Sequence, residues 1–282
     1  TRTHDSLKIS NGKWIWWSRG IGGRSALDYL IKVKGYSFLE AVETIIGHTA
    51  IQAPVYEKPQ LKEENKPLLL PEKCASNRVI TEYLFGRGID FEIINYCISN
   101  DLIFESLPYH NVVFVGYDEK KEPKYAAYRS TNKRRIMGDC SGSKKDYSFR
   151  LGKENLEEVH LFECAIDLLS YATLAKLNGQ DWKEMSFVSL SGVYSPAKKI
   201  EDSKVPIALE KYLGSNPSVR KIRIHFDNDI AGRKAAQTLK IILPDKYEIV
   251  DEPPKAGKDF NDFLCMQMGI YNKKTHERNE ER

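Results

Sequence analysis

From residue 159 to residue 250 the chain alternates short apolar runs with longer stretches of helical spacing, and this alternation restricts the fold more than any other feature. VHLFE (159–163), FVSL (187–190), KIRIHF (221–226) and 247–250 read as strands, whereas 165–177, 205–213 and 232–242 read as helices. Strand–helix alternation builds a parallel sheet with helices on its faces, so the expected class is α/β. Such sheets bind ligands at the carboxyl ends of their strands. Two of these strands deliver acids there: Glu163 closes the first, and Asp227 and Asp229 follow KIRIHF.

A carboxylate has no structural use at the end of an apolar strand. Several of them at one sheet edge repel and raise one another's pKa, a conflict that a divalent cation removes. Oxygen ligands with retained waters suit Mg²⁺ or Mn²⁺. Asp259, in GKDFNDFL, is the fourth acid of the set. A lone D-x-D is more often a solvated turn or helix cap, and it is the combination with Glu163 that favours a site. Ala231 and Gly232 are small enough for backbone to approach a bound group closely, and a helix opened by Gly232 would turn its N-terminus to the same edge, which favours phosphate. His225 reads as a hydrogen-bonded strand histidine, and Cys164 as a packing residue.

Upstream of this region the organisation is different. LKIS and KWIWW flank Asn11-Gly12, a hairpin signal. Gly20, Gly22 and Gly23 read as a flexible turn, and Ser25 as the cap of a helix, with a second helix after it. Trp14, Trp16 and Trp17 are expected in the core of this unit. Residues 54–73 carry Pro54, Pro59, Pro67 and Pro71 among Lys and Glu without periodicity, a linker pattern. Then come two helical stretches, 75–87 and 91–98, and a hairpin of NVVFVGY and KYAAYR. The expected division is 1–53, linker 54–73, a basic α+β subdomain 74–155, the α/β domain 156–270, and a charged tail 271–282.

Net charge is only +4, from 43 Lys and Arg against 39 Asp and Glu, so the distribution of charge matters more than its sum. Lys124, Arg129, Lys133, Arg134 and Arg135 crowd one hairpin, Lys144 and Lys145 continue the run, and Tyr125 and Tyr128 add aromatic faces able to stack on bases. A solvated basic hairpin is an equal reading on composition alone. The five cysteines are scattered and never spaced C-x-x-C, the usage of a reducing compartment, and a cytoplasmic location is expected. No apolar run is long enough to span a membrane. The chain starts at Thr1 rather than Met, so part of the first unit is expected to be missing.

HLFECAIDLLSYATL followed by IHFDNDIAGRKAA resembles the Toprim domain shared by bacterial primases, topoisomerases and some nucleases. AGRKAA, GKDFNDFL and the upstream VVFVGYDEKKEPKYAAYRSTNKRRIMG resemble the primase type, in the layout of Toprim proteins of plasmids and integrative elements. The resemblance implies a Toprim parallel sheet flanked by helices, preceded by the basic subdomain and a hairpin–helix unit. It implies Glu163, Asp227, Asp229 and Asp259 as metal ligands, with Glu163, Asp227 and Asp229 catalytic. It implies Lys124, Tyr125, Arg129, Lys133, Arg134, Arg135, Lys144 and Lys258 as nucleic-acid or nucleotide contacts. The family's second closing acid is replaced here by Asn261.

The first unit resembles a primase zinc domain in which Trp16 and Arg19 stand where the family has cysteines, so no zinc is expected and tryptophan packing replaces it. The implied activity is metal-dependent nucleotidyl transfer, primer synthesis on single-stranded DNA from nucleoside triphosphates in plasmid or mobile-element replication or transfer. A Toprim nuclease and a non-catalytic DNA-binding module are the alternatives. No P-loop is present, so unwinding would fall to a separate helicase, and a relaxase is a further candidate partner.

Overall fold

The structure, a computed structural model, describes residues 6–10, 12–49, 66–132, 134, 136–192, 194–197 and 199–270. The chain divides into two compact units, Thr1–Glu64 and Asn65–Arg282.

In the first unit, β1 (Leu7–Ser10) and β2 (Lys13–Trp16) form the expected antiparallel hairpin, with Ser10 opposite Lys13. The glycine segment is not a free turn. Its residues Ile21–Gly23 form β3 against β2, because Gly23 brings backbone within reach of the Trp14 indole, where a Cβ would lie 2.7 Å from Nε1. Ser25 caps α1 (Ala26–Lys32) by accepting from Asp28 N at 3.1 Å, and α2 (Phe38–Thr49) follows. Trp14 and Trp16 are buried with Leu7, and Tyr29 packs edge-on against Trp14. Trp17 corrects the expectation: it sits beyond the strand and is 65% exposed. The Arg19 guanidinium lies 4.0 Å from the centre of the Trp16 ring, so these two residues pack on each other.

The second unit opens with α3 (Arg78–Phe85) and α4 (Phe91–Ser99). A four-stranded antiparallel sheet follows, β4 (Ile103–Ser106), β5 (Asn111–Tyr117), β6 (Pro123–Arg129) and β7 (Met137–Asp139), in that order. The β5–β6 turn is closed by Asp118, whose Oδ1 accepts from Lys120 N and Glu122 N.

The larger sheet contains β8 (Arg150–Gly152), β9 (Glu158–Phe162), β10 (Ser186–Ser189), β11 (Lys221–Ile224) and β12 (Glu248–Asp251), in the order β12-β11-β9-β10-β8. All its pairs are parallel except β8 with β10. The alternation along β9 explains its two faces: Val159 and Leu161 pack with Ile222 and Ile224 under α6 (Ile207–Ser215) and α7 (Ile230–Ile242). Phe162 turns the other way, into the core of α3, α4, α5 (Ala165–Leu177) and α8 (Phe260–Gln267). Helix α5 is buried nearly all round, a central helix rather than an amphipathic one. Among the described residues no helix is long and apolar enough to cross a membrane.

Candidate active site at the sheet edge

The parallel order places the ends of β9 and β11 side by side, with Ile224 in register with Leu161. Glu163 therefore meets the loop after β11, and Asp227 N donates to its Oε1 at 3.3 Å. Helix α7 starts at Ile230 rather than at Gly232, because Asp229 is its N-cap and accepts from Gly232 N at 2.9 Å. Gly232 then sits under the cluster. A Cβ there would lie 2.2 Å from the Asp227 carbonyl oxygen and 3.0 Å from Glu163 Oε1, so the approach requires glycine. Arg233 locks the loop by donating to the carbonyls of Phe226 and Asp227 and pairing with Asp251.

Lys258 supplies the positive charge. Its ammonium lies 3.0 Å from Asp227 Oδ2 and 3.2 Å from Asp229 Oδ2, and its carbonyl accepts from Asn228 N at 2.7 Å. Gly257 before it has φ +79 and approaches Asp262 so closely that a Cβ would lie 2.8 Å from that residue's Cβ. Asp259 caps α8 by accepting from Asp262 N at 2.7 Å.

Burial and crowding set the charge states. Glu163 is 5% exposed, and loss of solvent, then the Asp227 charge, push its carboxyl up to about 7. Asp227 is raised by burial, against the pull of Lys258. Asp229 is lowered, chiefly by the Gly232 N–H. The Lys258 ammonium is held more strongly than usual by its bond to Asp227.

A further carboxylate, Asp167, lies outside the sequence expectation. It is buried in the first turn of α5, where Cys164 Sγ donates to its Oδ2 at 2.8 Å and Asn261 N to its Oδ1 at 3.2 Å. Burial, then the charge of Asp259, raises its pKa. The available signal was an acid four residues after Glu163, in the first turn of a largely apolar helix. Cys164 is thus a donor to a site carboxylate as well as a packing residue. Asn261 turns inward, donating from Nδ2 to Arg87 O at 2.9 Å and to Ser170 Oγ at 3.0 Å.

Oxygen donors with an ammonium already bridging two of them match the chemistry of a hard divalent cation. His225 is satisfied elsewhere, by Glu252 O at 3.0 Å and His160 Nδ1 at 2.8 Å.

The basic residues disperse more than their spacing suggests. Tyr125 is 1% exposed, its hydroxyl donating to Asp139 Oδ1 at 2.7 Å, so it lines the cavity beside Arg129 but presents almost no free face for stacking. Lys124 is paired with Glu122 and Asp118 at the hairpin turn. Arg134 is exposed, Lys144 bonds through its backbone N to Lys124 O, and Lys133 and Arg135 lie outside the described residues. Arg129 faces the site side: with Tyr128 and Lys145 it lines a cavity of about 300 Å³ whose other wall is Cys164, Ser191 and Gly192, at the mouth of the large sheet. Lys145 also donates to Ser191 O at 3.2 Å.

Residues 160–264 match the family described as Toprim-like. This part of the chain is a Toprim-like domain. Residues 82–155, just before it, match the family described as a protein of unknown function (DUF3991). Among solved structures, the chain is similar to the primase fragment of the bacteriophage T7 primase-helicase protein, at 15% identity and a TM-score of 0.46, over 97% of this chain and 93% of that one. It is similar to the zinc-binding and RNA polymerase domains of the Aquifex aeolicus primase, at 16% identity and a TM-score of 0.42, over 97% and 74%. It is also similar to the E. coli primase catalytic core, at 12% identity and a TM-score of 0.44, over 72% of each. No curated protein sequence matches the chain. The acids and Lys258 described above all fall within the Toprim-like domain.

Proposed function

We propose that the chain is a metal-dependent nucleotidyltransferase that synthesises primers on single-stranded DNA from nucleoside triphosphates. The observation that carries this reading is the meeting of Glu163, Asp227 and Asp229 with Lys258 at the carboxyl edge of a parallel sheet, beside a cavity bearing Arg129 and Lys145.

Glu163, Asp227, Asp229 and Asp259 would hold Mg²⁺ or Mn²⁺, and the bound ion would supply charge stabilisation to the attacking and leaving oxygens of an in-line transfer. Glu163, with its carboxyl near neutrality, is suited to accept a proton from an attacking hydroxyl at its Oε atoms. Lys258 holds Asp227 and Asp229 in place and lends its ammonium to an incoming phosphate. Arg129 and Lys145 hold the triphosphate or template strand by charge, and Tyr128 offers the aromatic wall.

The test is extension on a single-stranded template with labelled nucleoside triphosphates and Mg²⁺ or Mn²⁺. Dinucleotide and longer products that vanish in Asp227→Ala support the reading. Template cleavage that proceeds equally with and without nucleotides would instead make the site a nuclease.

A further inference from the structure

Away from the acidic edge, three side chains of different chemistry meet. Cys74 precedes α3, Glu105 lies in β4, and His110 sits in the turn after it. One ligand atom from each lies within 4.8 Å of the others, and among the described residues no other group of three or more His, Cys, Asp or Glu is gathered so tightly.

The backbone fixes all three. Cys74 N donates to Glu105 O at 2.8 Å, next to the antiparallel bridge of Lys73 with Ser106. His110 adopts φ +52, held by its N–H on Ser106 O at 2.8 Å and by Thr131 Oγ1 on its carbonyl at 3.0 Å. The Glu105 carboxylate is divided. Its Oε2 accepts from Val79 N and Ile80 N at the start of α3, and its Oε1 faces His110 Nδ1 at 2.6 Å. A carboxylate with one oxygen anchored on amides and the other turned to an imidazole and a thiol is oriented as a metal ligand is oriented by its supporting hydrogen bonds.

We infer that Cys74, Glu105 and His110 form a zinc site, with three protein ligands and a fourth position open to solvent. The thiol excludes Mg²⁺ and Ca²⁺ as natural occupants, and a thiolate, an imidazole and a carboxylate together are the ligand set of Zn²⁺. Thiolate and carboxylate would balance the ion's two charges. Zinc bonds of about 2.0–2.3 Å at tetrahedral angles separate ligand atoms by roughly 3.3–3.6 Å. His110, with its side chain 45% exposed, can swing away from Glu105 Oε1 by the less than ~1 Å that this requires, and the Cys74 thiol, within 4.8 Å of both, closes the remaining gap by a rotation of its side chain. The ion would clip the segment entering the second unit to β4 and the start of α3. This site is independent of the acidic edge and of the function proposed for it.

The test is titration of the metal-stripped full chain with Co²⁺, read by thiolate-to-cobalt charge-transfer absorption. The acidic edge, built of carboxylates, gives no such band, and Cys164→Ser controls for the thiol nearest to it. The expected result is a band that saturates at one equivalent, is displaced by Zn²⁺, persists in Cys164→Ser and is absent in Cys74→Ser. His110→Gln, whose amide can still donate to Glu105 Oε1, should weaken Zn²⁺ affinity by about tenfold or more in a chain that still folds without metal. That variant keeps the test decisive if Cys74→Ser fails to fold. Absence of the band in the unmodified chain, its survival in Cys74→Ser, or unaltered Zn²⁺ affinity in His110→Gln would overturn the assignment.

Discussion

Glu163 shows what the site costs the fold. Its carboxyl titrates near 7 in the folded chain but near 4.5 when exposed, so the folded state binds the extra proton and loses stability as pH rises between those values. Glu163→Gln should therefore raise the melting temperature at pH 8, by an amount equivalent to roughly 1–2 kcal/mol, with the gain fading below about pH 5. Scanning calorimetry at the two pH values checks this. The same proton competes with a divalent cation, so metal affinity should climb between pH 6 and 8, which titration calorimetry across that range would register. Asn261 is the opposite case. Both hydrogens of its amide find acceptors in a buried setting, and Asn261→Asp would place a charge beside Asp167. The expected cost is about 2–4 kcal/mol at pH 8 and less at pH 5, measured by urea unfolding. Asn261 is thus held by the core, a point invisible in the sequence because Arg87, whose carbonyl it meets, lies 174 residues away.

At the scale of elements, legibility followed periodicity. The β1–β2 hairpin, α5, α7 and the four parallel strands of the large sheet were readable because their patterns are long or bounded by turn residues. Three-residue strands such as β3, β7 and β8 are too short to show a period. Acids at strand ends were equally legible, since apolar runs make a terminal carboxylate conspicuous. Asp167 was not, because a single acid inside a helical pattern ordinarily faces solvent and only tertiary burial of α5 on all sides makes it unusual. Tyr125 was misplaced for the related reason that alternation in KYAAYR does not say which face of β6 is covered. Gly232 ties one element to the chemistry: Gly232→Ala must push α7 from the Asp227 carbonyl and should cost about 1–3 kcal/mol of stability. Divalent-metal affinity should fall with it, and thermal melts with and without Mn²⁺ separate the two effects.

Within the second unit, the small antiparallel sheet and the Toprim-like domain share the cavity that holds Arg129 and Lys145, so the proposed substrate contacts and the proposed metal ligands belong to different parts of one body. Arg129→Ala with Lys145→Ala should weaken single-stranded DNA or triphosphate binding and flatten its salt dependence, while divalent-metal affinity stays within about twofold of the unmodified chain. Fluorescence anisotropy across a salt series would register that separation. The proposed chemistry requires the carboxylates of the sheet edge to take a divalent cation. The most direct measurement is Mn²⁺ binding at pH 8, followed by the loss of the free-ion electron paramagnetic resonance signal, in the unmodified chain and in Asp227→Asn. We predict saturable binding that weakens by about tenfold or more in the variant; superimposable binding curves, or no binding in either protein, would contradict the account.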